Sequence, residues 1–235
     1  MDNKVQHIQV PHDLGVAKEI KMNPTDYLIY GYMRKNMDKD TFQTFVSLRT
    51  LAELARVSIN TVQSSIKKLN AAGEIKILEK KKGRSNIYEI QKSGRYFERF
   101  TYEFMDAENT TPEEKGVLLA MQQYTSTNDG QFAITTKTNK ELAAKMDMST
   151  KVLTRVFRQL EDKGILITSR TSALDKISGL RKSAKLIDLS LVCQAILFVN
   201  QKVDQHSEQI EKHSEDIKNP VSYTHLRAHE TRHDL

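Results

Sequence analysis

Residues 51–77 read LAELARVSINTVQSSIKKLNAAGEIKI, and the punctuation of this stretch predicts two short helices and a strand. A helix over about Leu48 to Arg56 breaks at a turn. Ser58 then stands where an N-cap side chain accepts an orphan backbone N–H. The apolar positions Ile59, Val62, Ile66 and Leu69 follow at spacings of 3, 4 and 3, one stripe on one helical face. Gly73 supplies the left-handed conformation that ends the second helix. The runs Ile75 to Lys81 and Ile87 to Gln91 then flank the turn-rich tip Lys82-Gly83-Arg84-Ser85-Asn86, which predicts a β-hairpin.

The same skeleton recurs downstream. Leu51, Ala52, Ser58, Val62, Ile66, Leu69 and Gly73 align with Leu142, Ala143, Ser149, Leu153, Phe157, Leu160 and Gly164 at a constant offset of 91 residues. A helix start precedes each copy. In Asn23-Pro24-Thr25-Asp26 a cap is followed by proline at the first helical position and an acid in the first turn. In Thr111-Pro112-Glu113-Glu114 a capping box opens a helix through Val117, Leu118, Met121 and Tyr124. Each copy is expected as helix, short strand, helix, turn, helix and hairpin.

On these residues the chain resembles the winged helix-turn-helix superfamily over about residues 20–190, most closely at LAELARVSINTVQSSIKKLNAAGEI. The expected fold class is mainly α with small β wings: two tandem winged helix-turn-helix domains followed by a C-terminal coiled-coil helix. The expected division is an N-terminal tail (1–19), winged helix 1 (20–92), a connecting strand or linker (93–110), winged helix 2 (111–190), a coiled-coil helix (191–219) and a terminal segment (220–235).

The resemblance implies double-stranded DNA as partner, with the second helix of each copy in the major groove and the hairpin along the backbone or minor groove. If Ile59, Val62, Ile66 and Leu69 face the core, helical geometry turns Asn60, Thr61, Ser64, Lys67 and Lys68 outward. Asn60 and Ser64 are suited to base edges because amide and hydroxyl groups both donate and accept. Lys67 and Lys68 are suited to phosphates. Lys80, Lys81, Lys82 and Arg84 crowd the first hairpin and create a local basic field. In copy two, Leu153, Phe157 and Leu160 form the expected stripe, leaving Lys151, Arg155 and Arg158 outside. An arginine there either bonds guanine bidentately or grips a phosphate, and both readings stay open. The second hairpin, between Ile167 and Leu186, offers Arg170, Arg181, Lys182 and Lys185 around Ser178-Gly179.

Between the copies, YFERFTYEF places Phe100, Tyr102 and Phe104 at a spacing of two, expected as a strand packed beneath the second domain rather than a base-stacking platform. After the second hairpin the apolar period becomes seven. Leu189, Ile196, Val203, Ile210 and Ile217 recur at that interval, with Val192, Val199, His206 and His213 midway. These heptads predict a homodimer through a parallel coiled coil, the alternative being a lone helix on its own domain. The register fails at Pro220, where PVSYTHLRAHETRHDL resembles a translated library-adapter sequence and is expected to be non-native. Its His225, His229 and His233 are four apart and are not expected to hold a metal.

The 235 residues carry 36 Lys plus Arg against 30 Asp plus Glu, a net charge of +6 that favours an anionic partner. The single cysteine, Cys193, cannot form an internal disulfide. No apolar stretch resembles a signal peptide or a membrane span, so a reducing cytoplasm and no membrane partner are expected. No Gly-rich phosphate loop, HExxH, metal cluster or nucleophile elbow is present, so no enzymatic activity and no cofactor are expected. Within DNA binding, tandem winged helices resemble plasmid and phage replication initiators, and bacterial transcription regulators remain the alternative. The corresponding partners are replication or transcription machinery. A protein- or RNA-binding module is the reading from a different class.

Overall fold

The structure is a computed structural model describing residues 6–12, 14–79, 86–92, 97–124, 126–128, 132–135, 137–166, 168–174 and 181–187. It is a mixed fold with seven α-helices and small antiparallel sheets among the described residues. The hairpin tip with Lys80, Lys81, Lys82 and Arg84 lies outside the described residues. So does the heptad segment with Leu189, Val192, Ile196, Val199, Val203, Ile210 and Ile217, and so does the terminal segment after Pro220.

Helix α1 (Pro24–Lys35) begins with a reciprocal capping box: the Asp26 amide donates to Asn23 Oδ1 (3.0 Å), and the Asn23 amide donates to Asp26 Oδ2 (2.9 Å). Strand β2 (Gln43–Thr44) leads to α2 (Leu48–Ala55) and α3 (Ile59–Ala72). Strands β3 (Ile75–Glu79) and β4 (Ile87–Ile90) then complete a three-stranded sheet of order β2-β4-β3. The downstream copy repeats the plan. Helix α5 (Pro112–Met121) starts on the capping box Thr111/Glu114, and α6 (Asn139–Lys145) and α7 (Thr150–Asp162) follow. Strands β6 (Ser126–Asn128), β7 (Phe132–Thr135), β8 (Thr168–Leu174) and β9 (Arg181–Ile187) form a four-stranded sheet of order β6-β7-β9-β8. A hairpin thus replaces the single short strand expected before α6.

The turns repeat at the level of individual hydrogen bonds. After α2, Arg56 adopts φ 50° and the Val57 amide returns to the Ala52 carbonyl (3.0 Å). At the equivalent place Asp147 adopts φ 49° and the Met148 amide returns to Ala143 (3.0 Å). After α3 and α7, Gly73 (φ 77°) and Gly164 (φ 65°) reverse the chain. The Glu74 amide there bonds to Leu69 and the Ile165 amide to Leu160, both at 3.0 Å.

Two expectations are corrected at the junctions. The N-terminal stretch is not a free tail, because His7–Pro11 forms β1, paired antiparallel with β5 (Phe97–Thr101). Ile8, Val10 and Leu14 enter the core, and the Gly15 amide donates to the buried Glu74 carboxylate (3.1 Å). The aromatic alternation does not continue as a strand. Thr101 caps a short helix α4 (Tyr102–Asp106) through its hydroxyl, so Phe104 is buried from a helix while Phe100 is buried from β5.

Instead of two separate cores, the buried apolar side chains form one continuous cluster from Ile8 to Leu166. Its centre is α1 against α5. Both helices are buried on nearly every side, which is why TDYLIYGYMRK and EEKGVLLAM lack the one-sided period of a surface helix. Glycine permits the close approach: a Cβ on Gly116 would stand 2.6 Å from the Pro24 carbonyl oxygen at the start of α1. Across the same contact, Tyr27 Oη accepts a hydrogen bond from Gln123 Nε2 at 2.7 Å.

Candidate nucleic-acid interface

The two helices expected to face DNA are each locked to the helix that opens their copy, by the same device built from different residues. Asp26 is 1 % exposed. Its Oδ1 accepts the Ser65 hydroxyl (2.6 Å), and its Oδ2 accepts Lys68 Nζ (3.1 Å) besides the Asn23 amide. Glu114 is 0 % exposed, and its two oxygens receive Lys163 Nζ at 2.8 and 2.7 Å while Oε2 also accepts the Thr111 amide. One acid therefore caps the first helix and fixes the last helix of each copy. A buried carboxylate is tolerated only when its lone pairs are satisfied in this way.

This geometry revises the stripe expected for α3. Val62, Ser65, Ile66, Leu69 and Ala72 are buried, whereas Ile59 is 45 % exposed. Ile59 occupies the first turn of α3, and the polar Ser65 is accepted inside because Asp26 receives its hydroxyl. Lys68 turns back to Asp26 rather than outward. Thr61 is half-buried, and its hydroxyl contacts the N-cap hydroxyl of Ser58 at 2.8 Å. Asn60, Ser64 and Lys67 are exposed as expected, and Gln63 joins them. Gln63 lies about one turn from Asn60 and from Lys67 on the same outer face.

On α7, Leu153, Val156, Phe157 and Leu160 are buried, which adds Val156 to the expected stripe. Lys151, Arg155 and Arg158 are exposed. Arg155 Nη2 reaches Glu113 Oε2 in the first turn of α5 at 2.7 Å, so its guanidinium is oriented by an exposed ion pair. Arg170 and Lys185 are register partners across β8 and β9, where Ala173 pairs with Lys182 and Leu174 with Arg181.

The helix starts differ in charge. Helices α1, α5 and α6 carry acids in the first turn, while α2, α3 and α7 carry none. The partial positive charge of a helix N-terminus is thus left uncompensated by a local acid on the two helices whose outer faces are polar or cationic.

Among the described residues no group of three or more His, Cys, Asp or Glu side chains is placed to hold a metal, and no helix is long and apolar enough to cross a membrane. Residues 21–75, from just before α1 to the start of β3, match the family model of a helix-turn-helix domain. The chain therefore carries a helix-turn-helix module of the DNA-binding kind, with α2 and α3 as its two helices. No curated protein matches the chain.

Proposed function

We propose that the chain binds double-stranded DNA through two winged helix-turn-helix modules, residues 20–92 and 111–190, with α3 and α7 as recognition helices. The observation that carries this reading is the outer face of α3. Asn60, Gln63, Ser64 and Lys67 form a continuous exposed polar row on a helix with no acid in its first turn, within the stretch that matches a helix-turn-helix domain. Asn60 and Gln63 carry amides that can bond adenine bidentately, and the exposed Ile59 suits a thymine methyl group. Helix α7 presents Lys151, Arg155 and Arg158 without neutral amides between them, and its work is phosphate contact. The basic hairpins, including Lys80, Lys81, Lys82 and Arg84, extend the same field along the duplex.

The α1–α5 contact joins both modules through one core, so a single chain presents two recognition helices in a fixed relation. This arrangement favours a replication initiator or related mobile-element factor that occupies an extended site. A transcription regulator at an operator is the competing role. The chain acts by binding, with neither catalysis nor cofactor, and dimerises through the heptads of residues 191–219. Selection of bound duplexes from a random pool with the full chain tests the reading. An enriched motif, with affinity falling as log salt rises by about 0.9 per phosphate contact, is expected. Failure to enrich any sequence, or salt-insensitive binding, overturns it. Repeated sites in one orientation support the initiator role, a lone inverted repeat the regulator.

A further inference from the structure

A cleft of about 660 Å³ opens between β1, the C-terminal end of α1 and the loop leading to Phe42. It lies away from the β3–β4 connection: β4 starts at Ile87 beside that connection and ends at Ile90, whose amide bonds to the Phe42 carbonyl at 2.9 Å. Among the described residues its lining holds the cations Arg34 and Lys39 beside the imidazole of His7, and no carboxylate. Asp38, nearby in sequence, is committed to its own loop. It accepts the Thr41 amide and hydroxyl, both at 2.8 Å, and the Asp40 amide at 3.1 Å, and the Thr41 amide first of all holds its pKa below the usual range.

Arg34 is the unusual member. It is only 6 % exposed, yet no carboxylate among the described residues pairs with it. Nε donates to the Gln9 carbonyl (3.0 Å) and Nη2 to the Gln9 side-chain oxygen (3.4 Å), while Nη1 has only the Met37 sulfur (3.8 Å). The guanidinium also lies 5.9 Å from the centre of the Tyr30 ring. These contacts orient the group without supplying a counter-charge, and a buried charge lacking one is costly. Two of its five N–H groups remain to be met.

We propose that this cleft binds a small phosphate-bearing ligand with a planar ring, of the size and chemistry of a mononucleotide. Arg34 and Lys39 receive the phosphate, with His7 at the rim, and the rings of Phe42 and Tyr102 provide the apolar walls. The volume falls in the range of small-molecule sites, about 300–1,000 Å³. The proposal does not depend on how the recognition helices act.

The test is calorimetric titration of the full chain with ATP, AMP and inorganic phosphate, beside Lys39→Glu and Arg34→Met variants. Lys39 is exposed, so its substitution leaves folding intact, whatever becomes of Arg34→Met. Saturable ATP binding that exceeds AMP and phosphate is expected, weakened about fivefold to tenfold by Lys39→Glu and abolished by Arg34→Met, with duplex affinity unchanged by Lys39→Glu. The proposal fails if ATP does not bind at millimolar concentration, or if Lys39→Glu leaves ATP binding intact. It fails equally if Lys39→Glu weakens duplex binding, which would assign the cleft to the DNA backbone.

Discussion

In the first copy the buried acid is an aspartate held by a serine and a lysine from the middle of α3. In the second it is a glutamate held by a single lysine from the C-cap of α7. The longer glutamate reaches a lysine beyond the helix end, which leaves the middle of α7 free to bury Val156 where α3 buries Ser65. The frame is kept while its parts are exchanged, and the outer surfaces diverge independently: amides and a hydroxyl on α3, guanidinium groups on α7. What is repeated is therefore the attachment of α3 and α7 to the central helix pair, while their exposed surface chemistry differs between copies.

The largest expected effect breaks this attachment. Asp26→Ala strands Ser65 and Lys68 and removes the carboxylate half of the capping box at the start of α1. A loss of about 4 kcal/mol in urea unfolding is expected, with Glu114→Ala close to it at about 3 kcal/mol. Because the core is continuous, each variant should unfold in a single transition. If one copy melted separately, the two would be independent domains.

The central pair is also asymmetric. The place that Tyr27 takes in α1 is taken in α5 by Lys115, buried with its ammonium donating to the Met105 carbonyl at 2.7 Å. Burial, opposed by the nearby Asp106, lowers its pKa from 10.5 to about 8. The unfolded chain then binds more protons than the folded one between these values, so stability rises with pH across that window. Buried Tyr32 and Tyr88 and half-buried Tyr124 have raised pKa values, Tyr124 to about 12, and act in the opposite direction above pH 10. Subtracting the profile of Lys115→Met isolates the lysine, and a relative gain of about 2 kcal/mol for the parent chain between pH 8 and 10 is expected. Parallel profiles would mean that Lys115 is solvated.

Two glycines sharpen the same contact. Gly116→Ala meets the Pro24 backbone oxygen and should cost about 2 kcal/mol. Gly31→Ala meets the movable end of Met105 at 3.1 Å and should cost less than about 1 kcal/mol. The reverse order would displace the point of closest approach. The smallest effect belongs to Glu113→Ala. It removes an exposed pair worth about 0.5 kcal/mol, so thermal unfolding should barely change, while freeing Arg155 should strengthen duplex binding about twofold.

Local order was legible wherever one residue type has one job. Asn23, Thr111, Ser58 and Ser149 mark helix starts, and Gly73 and Gly164 mark helix ends, because caps and left-handed turns admit few side chains. Arg56 and Asp147 show the limit: both hold a left-handed turn that their identities do not advertise, and only the repeated hydrogen bonds reveal it. The partnership of Asp26 with Ser65 and Lys68 spans some forty residues, so no local period could announce it: Lys68 reads as an outward phosphate contact, and nothing marks Ser65 as buried. Ile59 misled for the converse reason, since an apolar residue in a first turn fits the helical period without having a neighbour to bury it. The role of β1 required knowledge of its partner β5, ninety residues away in register.

The central claim, two like-framed helices with unlike work, is tested most directly by salt titration of a selected duplex with two double variants, Asn60→Ala/Ser64→Ala on α3 and Arg155→Ala/Arg158→Ala on α7. The α3 variant should relax sequence preference at unchanged salt slope. The α7 variant should weaken all sequences alike and lower the log-log slope by about 2. If α7 changed sequence preference while α3 changed neither preference nor affinity, the assignment of the two surfaces would be contradicted.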